Sequence, residues 1–89
     1  MQKSNLAKIK IIFFAQSREL IGKEYEYISI PCKLSYDHLI SSIEENLTPL
    51  KILNKKFRIA KNLEYINENY SIILKDNDEI ALITPIGGG

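Results

Sequence analysis

The sequence predicts an α+β domain in which one main helix packs on one face of a mixed β-sheet. Two observations support this class: apolar residues alternate in several short segments, and they follow helical spacing in one longer segment. The 89-residue chain is 45% hydrophobic and 26% charged, which is typical of a globular domain and argues against disorder. At this length we expect one small domain with a modest core.

The first strand is predicted over Lys8–Ala15, where β-branched and aromatic residues dominate. Ile9, Ile11 and Phe13 share one face of this strand because side chains alternate along it. A helical turn closed by Gly22 is expected before the second strand.

The second strand is predicted over Tyr25–Ile30 and is stopped by Pro31. The main helix then begins at Ser35, a good N-cap residue, with Asp37 in the electropositive first turn. Its end is expected just before Pro49. The apolar residues at helical spacing are Leu39, Ile40, Ile43 and Leu47. The residues expected on the solvent side are Ser41, Ser42, Glu44 and Glu45.

A third strand is predicted over Phe57–Lys61 and the last over Glu79–Ile83. Between them lie a turn-rich stretch with short apolar pieces, Tyr65-Ile66 and Ile72-Ile-Leu74, and a turn at Asp76-Asn-Asp78. A right-handed crossover would place the first and last strands side by side and parallel. This arrangement is the β-grasp of ubiquitin-like domains.

Charge and apolar-run length argue against several classes of partner. Twelve Lys and Arg residues against 11 Asp and Glu leave a net charge of +1, which gives no support for nucleic acid or an anionic membrane. The longest apolar run, Ile11–Ala15, is too short to span a bilayer, and no secretory signal is evident at the N-terminus. With Cys32 as its one cysteine, the chain is expected in the reducing cytosol.

Three glycines, Gly87, Gly88 and Gly89, end the sequence. We expect a β-grasp domain over 1–83 and a flexible tail over 84–89, narrow enough to enter a channel because glycine has no Cβ. A terminal carboxylate would need activation before it could react as an electrophile. From the glycines alone, a frayed chain end is the simpler interpretation.

Strand parity predicts an apolar patch on the face of the sheet away from the helix. Its members are Ile12, Phe14, Ala81 and Ile83. Such patches tend to mark protein partners. Two alternatives remain open at this point: a loop such as Tyr65–Leu74 covers the patch, or the register differs by one residue.

Other chemically active residues are isolated. His38 lacks a second ligand and is interpreted as a solvated helix residue, and Cys32 as an inert thiol. The acidic turn Asp76–Glu79 lacks the glycine and distant glutamate of an EF-hand. A mildly basic stretch, usually a solvated surface, could dock an acidic partner; it comprises Lys51, Lys55, Lys56, Arg58 and Lys61. The chain is not expected to catalyse a reaction alone.

Three segments together resemble the small subunits of molybdopterin synthase, the sulfur carriers of molybdenum cofactor biosynthesis. Ile9–Gly22, IKIIFFAQSRELIG, is similar to the opening of that family. Asp76–Gly89, DNDEIALITPIGGG, is similar to its ending, and Arg58–Asn62 to its middle strand. The resemblance covers most of the chain, with the helix matching in character only.

The resemblance implies that the Gly89 carboxylate is adenylated by an ATP-dependent, ubiquitin-activating-like enzyme and converted to a thiocarboxylate. Sulfur would then pass to cyclic pyranopterin monophosphate inside the large synthase subunit, in a heterotetramer of two small and two large subunits. No bound cofactor or metal is implied. The residues implied to contact the large subunit are Phe14, Arg18, Ile83, Pro85 and Ile86, with the tail glycines Gly87 and Gly88.

Three departures from the family pattern stand near the tail: Thr84 replaces a proline, Gly87 replaces a small side chain, and Asn77 replaces a glycine. None removes the reacting carboxylate. The alternatives are a carrier for thiamine thiazole, tRNA thiolation or cysteine synthesis, and a ubiquitin-like protein modifier.

Overall fold

The computed structural model describes residues 5–66 and 71–84. Seven strands, two α-helices and one 3₁₀ helix lie in these ranges. The strands are β1 (Leu6–Phe13), β2 (Tyr25–Pro31), β3 (Lys33–Leu34), β4 (Arg58–Lys61), β5 (Glu64–Tyr65), β6 (Ile72–Ile73) and β7 (Glu79–Ile83). The helices are α1 (Ala15–Ile21), α2 (Tyr36–Asn46) and the 3₁₀ helix (Thr48–Leu53).

The main sheet has five strands in the order β2-β1-β7-β4-β5. β1 and β7 are parallel central neighbours, and the remaining pairs are antiparallel. This confirms the predicted pairing of the first and last strands. A second, two-stranded sheet joins β3 to β6.

One face of the main sheet carries the core. Ile9, Ile11 and Phe13 of β1 are at most 1% exposed, and Ile80 and Leu82 of β7 are fully buried. From α2 the buried apolar side chains are Tyr36, Leu39, Ile40 and Ile43. Burial of each such side chain stabilises the fold by about 1.5–3 kcal/mol, so the paired sheet face and helix account for most of the core.

Helix α2 begins where its sequence predicts. The Ser35 hydroxyl accepts a hydrogen bond from the His38 backbone N–H at 3.2 Å, and Asp37 lies in the first turn. Glu44, expected on the solvent side, is instead buried. Its Oε2 accepts a hydrogen bond from the Lys55 N–H at 2.7 Å, so this carboxylate holds the turn that follows the 3₁₀ helix.

Several short elements were not predicted. The 3₁₀ helix follows α2 directly, with Pro49 in its first turn and Leu50 and Leu53 buried three residues apart, the spacing that places side chains on one face of a 3₁₀ helix. Pro49 therefore begins a new helix as well as ending α2. Strands β3 and β6 have two residues each, which is too short for any alternation to be read.

The acidic turn fixes the start of β7 against its neighbours. Asp76 Oδ1 accepts a hydrogen bond from the Lys8 N–H at 2.8 Å, and the Asn77 N–H donates to the Lys8 carbonyl at 2.8 Å. Asn77 adopts a left-handed φ of 74°, which asparagine tolerates better than most residues. The turn is thus a structural connection between β1 and β7.

No helix in residues 5–66 and 71–84 has both the length and the apolar content needed to cross a membrane.

Candidate functional site

The predicted apolar patch lies on the face of the main sheet opposite α2, and we call it the open-face patch. It consists of Ile12, Phe14, Ala81 and Ile83. Ile12 and Ala81 are Cα partners in the parallel β1–β7 pair. Phe14 and Ile83 each follow two residues later, so the same register brings them side by side. Phe14 is 51% exposed and the others are half-buried, which confirms the predicted parity.

The backbone around Phe14 is tightly held while its ring faces solvent. The Phe14 N–H donates to Ser17 Oγ at 3.1 Å, and Ser17 Oγ donates back to the Phe14 carbonyl at 2.8 Å. Ser17 is fully buried, and Ala15 turns the chain with a φ of 51°. Phe14 is therefore the N-cap residue of α1, and its ring is presented from a fixed backbone.

Arg18 stands one helical turn after Phe14, on the same side of α1. Its guanidinium forms a 3.0 Å ion pair with Glu24, and both side chains are more than half exposed. An exposed pair of this kind contributes little to stability. At the other end of the turn the Arg18 carbonyl accepts a hydrogen bond from the Gly22 N–H at 2.8 Å, with Gly22 at φ 80°, which confirms the predicted glycine stop.

The last strand leads from the open-face patch toward the predicted tail. Ile83 ends β7, and Thr84 after it is only 6% exposed. Within the described residues, the Thr84 hydroxyl is buried without a hydrogen-bond partner. The predicted tail residues Pro85, Ile86, Gly87, Gly88 and Gly89 lie outside the described residues.

Sequence reasoning missed one large side chain beside the patch. Tyr65 of β5 is the Cα partner of Ala60, and Ala60 is the partner of Ala81. Tyr65 is 67% exposed, whereas Ala60 is only 7% exposed and forms the floor between them. The two-residue strand β5 gave no alternation from which this position could be inferred.

The described part of the stretch that could have covered the patch does not do so. Ile72 and Leu74 are buried members of the core on the opposite side of the sheet, and Tyr65 is exposed. Residues 67–70 lie outside the described residues. The alternative of a shifted register is wrong, because Ile12 pairs with Ala81 as the parity requires.

The remaining chemically active residues stay apart. His38 is exposed, and Cys32 is a free, half-buried thiol packed against the core. Across residues 5–66 and 71–84, no three His, Cys, Asp or Glu side chains come together in a way that could hold a metal ion. In the basic stretch Lys51, Lys55, Lys56 and Arg58 are exposed and Lys61 is half-buried.

Asp78 is the one described group with a clearly shifted pKa. Burial raises its pKa, but this is outweighed by hydrogen bonds from the Lys75 N–H at 2.8 Å and the Asn62 amide at 3.2 Å, and by the charges of Lys61 and Lys75. The pKa of this carboxyl therefore lies below its ordinary value. Asn62 also accepts from the Glu79 N–H at 2.9 Å, so this network fixes β4 against β7.

Known structures share this architecture. Small archaeal modifier protein 1 from Methanosarcina acetivorans matches with a TM-score of 0.73 and 25% identity, over 97% of this chain and 100% of that chain. One solved complex, of subunits 1 and 2 of molybdopterin-converting factor from Helicobacter pylori, matches with a TM-score of 0.61 and 29% identity, over 92% of this chain and 99% of that chain. The predicted β-grasp is confirmed.

The sequence comparisons agree with the structural ones. The molybdopterin synthase sulfur carrier subunit of Caenorhabditis elegans is 33% identical over 84 residues, which cover 94% of this chain and 100% of that protein. This confirms the resemblance predicted from the opening and ending of the sequence. The profile of the ThiS family matches residues 11–89. The chain therefore belongs to the ThiS family.

Proposed function

We propose that this chain is the sulfur carrier subunit of a molybdopterin synthase. The observation that carries the proposal is the open-face patch at the end of β7, next to the point where the chain leaves the sheet toward its glycines. The similarity of the chain, over nearly its whole length, to a molybdopterin synthase sulfur carrier subunit supports the same role. A carrier of this kind presents a group and does not transform it, so the chain alone is not an enzyme.

The proposed working group is the carboxylate of Gly89. An ionised carboxylate is a poor electrophile, and a separate ubiquitin-activating-like enzyme would activate it at the expense of ATP. A carboxylate oxygen attacks the α-phosphorus of ATP and pyrophosphate leaves. A hydrosulfide-level sulfur then attacks the acyl carbon and displaces AMP, which gives the thiocarboxylate and releases a proton. The chain itself binds no cofactor in this scheme.

The thiocarboxylate then delivers its sulfur inside the large subunit. Its sulfur attacks a side-chain carbon of cyclic pyranopterin monophosphate and displaces an oxygen substituent from that carbon. Water then hydrolyses the resulting thioester, which leaves the sulfur on the pterin and returns the Gly89 carboxylate. Two deliveries build the dithiolene. The catalytic side chains belong to the large subunit, and we propose a heterotetramer of two small and two large subunits.

The open-face patch is the proposed docking surface for the large subunit. Phe14 presents an exposed ring from a fixed backbone, and Ile83 lies beside it at the end of β7. Tyr65 adds a further exposed aromatic ring to the same face. Arg18 lies at the margin of this surface, and residues 85–89, which follow the buried Thr84, are proposed to extend from it into the partner. We also propose that the chain works in the cytosol, because its one cysteine, Cys32, is a free thiol and a reducing compartment keeps thiols reduced.

The tail mechanism is tested by shortening or extending the chain by one residue at Gly89. Both variants are expected to fold and to bind the large subunit, because the described core does not include this position. Both are expected to lose sulfur transfer, measured as conversion of cyclic pyranopterin monophosphate to molybdopterin by the reconstituted synthase. Full activity in either variant would rule out the Gly89 carboxylate as the sulfur carrier.

A second candidate function is that of a ubiquitin-like protein modifier. The match to small archaeal modifier protein 1 at a TM-score of 0.73 favours it. A carrier of sulfur for another product, such as thiamine thiazole, a thiolated tRNA or cysteine, is the third. Isopeptide conjugates of this chain in its own cells, found without any thiocarboxylate, would support the modifier and contradict the carrier.

A further inference from the structure

Charged side chains are sorted unevenly between the two faces of the main sheet. Three cations, Lys8, Lys10 and Arg58, alternate onto the same face as the open-face patch. Glu79 is the sole acidic residue that the described strands place on that face. The chain as a whole carries a net charge of only +1, so its open face is more positive than its composition suggests.

Two of these cations are held in place by aromatic rings. The Lys10 ammonium lies 4.4 Å from the centroid of the Tyr25 ring, and the Lys8 ammonium lies 5.5 Å from that of Tyr27. The two tyrosines meet edge to face at 5.9 Å. We call these four residues the Lys–Tyr ladder. Cation–π contacts orient an ammonium without neutralising its charge, so the ladder presents fixed positive charge.

The ladder is continuous with the open-face patch on one side. Tyr25 is the Cα partner of Ile12, and Lys10 precedes Ile12 by two residues on the same face. Arg58 lies on the opposite side, as the Cα partner of Ile83. Neither Lys10 nor Arg58 has an ion-pair partner among the described residues. The apolar centre is thus flanked on both sides by cations that form no ion pair with a described residue, and the carboxylate of Glu79, the Cα partner of Lys10, leaves that cation unpaired.

We infer that the partner surface that covers the open-face patch has an apolar centre flanked by acidic side chains, one group opposite Lys10 and one opposite Arg58. This rests on the proposed function, since it describes the surface of the large subunit that receives this chain. A partner that buries the patch also contacts Lys10 on one side of it and Arg58 on the other. A cation that faces a partner without a counter-charge is unfavourable, so carboxylates at these two places complement the rim of the surface.

The same arrangement predicts how the complex forms. Complementary charges at the rim of an interface act mainly on the association rate and on its dependence on salt. The apolar centre, by contrast, governs how long the complex persists. The flanking cations are therefore expected to speed encounter with the large subunit without being required for sulfur transfer.

The test compares Lys10→Glu and Arg58→Glu with Lys51→Glu in the full chain. Lys51 is exposed on the 3₁₀ helix, away from the open face, so it controls for the same change in net charge. Association with the large subunit is measured by stopped-flow fluorescence at about 0.01 M and about 1 M salt, where the Debye length is about 30 Å and about 3 Å.

At low salt, Lys10→Glu and Arg58→Glu are each expected to slow association about tenfold relative to Lys51→Glu. At high salt the three rates are expected to converge. Equal rates for all three variants at low salt would overturn the inference while leaving the docking surface itself intact. A wild-type chain that forms no complex with the large subunit at either salt concentration would instead contradict the proposed function.

Discussion

At Phe14, the hydrogen bonds to Ser17 fix the backbone and leave the ring 51% exposed. Burial of the ring by a partner would contribute about 1.5–3 kcal/mol. The exposed ring beside three half-buried apolar residues is better explained by a partner that completes the burial.

Phe14→Asp is expected to weaken the complex with the large subunit at least about tenfold, because it would bring a carboxylate into an apolar contact. The fold should tolerate the change, since aspartate is a favourable N-cap residue. Isothermal titration calorimetry measures the affinity, with Ile52→Asp as control. Ile52 is 74% exposed on the 3₁₀ helix, so its substitution should leave affinity unchanged. Equal affinities for the two variants would contradict the assignment of the surface.

Asp78→Asn is expected to lower the free energy of unfolding by about 1–2 kcal/mol at pH 7, because hydrogen bonds to a charged acceptor are lost. The pKa of Asp78 is lowered in the folded state, so its ionised form stabilises the fold. That contribution is complete above the ordinary aspartate pKa of about 3.9 and disappears as the pH falls through the lower folded-state pKa.

Urea denaturation between neutral and acidic pH checks this prediction. The difference in the free energy of unfolding between wild type and Asp78→Asn should become smaller as the pH falls below about 4. Glu45→Gln, a substitution of an exposed residue of α2, serves as control. It should change the free energy of unfolding by less than about 0.5 kcal/mol at any pH. A gap that is independent of pH would show that the charge of Asp78 is not what stabilises the β4–β7 connection.

Among the elements, the β4–β5 hairpin contains a conformation that its sequence does not favour. Its two-residue turn places Asn62 at φ 48° and Leu63 at φ 76°, as in the type I′ turns that normally use Asn-Gly. A leucine in this region costs about 1–2 kcal/mol, and Leu63 recovers none of it by packing, because it is 94% exposed.

Leu63→Gly is therefore expected to raise the free energy of unfolding by about 0.5–1 kcal/mol, since glycine adopts this φ without strain but loses more entropy on folding. Ile52→Gly provides the contrast: it lies at an exposed position without a positive φ and should lower stability by about 0.5–1 kcal/mol. Thermal unfolding of both variants measures the difference. A loss of stability in Leu63→Gly would mean that the leucine side chain contributes contacts on this face.

Elements with local signals could be predicted from sequence, and those without them could not. Ser35 and Asp37 predict the start of α2 because they are favourable at the N-cap and in the first turn, and Gly22 predicts the end of α1. Glu44 was misplaced because its partner, the Lys55 N–H, is provided by a turn eleven residues away. The 3₁₀ helix was missed because Pro49 equally signals the end of one helix and the first turn of another.

In the molecule as a whole, strand parity was sufficient to predict the open-face patch. Side chains alternate between the two faces of a strand. Because the core residues of β1 and β7 occupy one face, Ile12 and Ile83 must lie on the other. The position of Tyr65 could not be predicted, because Tyr65 lies in a two-residue strand that is placed only by its pairing with β4. The cation distribution also required the sheet order, since Arg58 and Lys10 lie 48 positions apart in sequence and flank one patch only after folding.

Mass spectrometry of the chain purified from its own cells tests whether Gly89 carries sulfur. We expect a fraction of intact protein whose mass is raised by replacement of one oxygen by sulfur, with fragment ions that locate the change at Gly89. Blocking the activating enzyme should remove this fraction. Protein that shows only the unmodified carboxylate while the pathway is active, or sulfur bound at Cys32 instead of Gly89, would rule out Gly89 as the sulfur carrier.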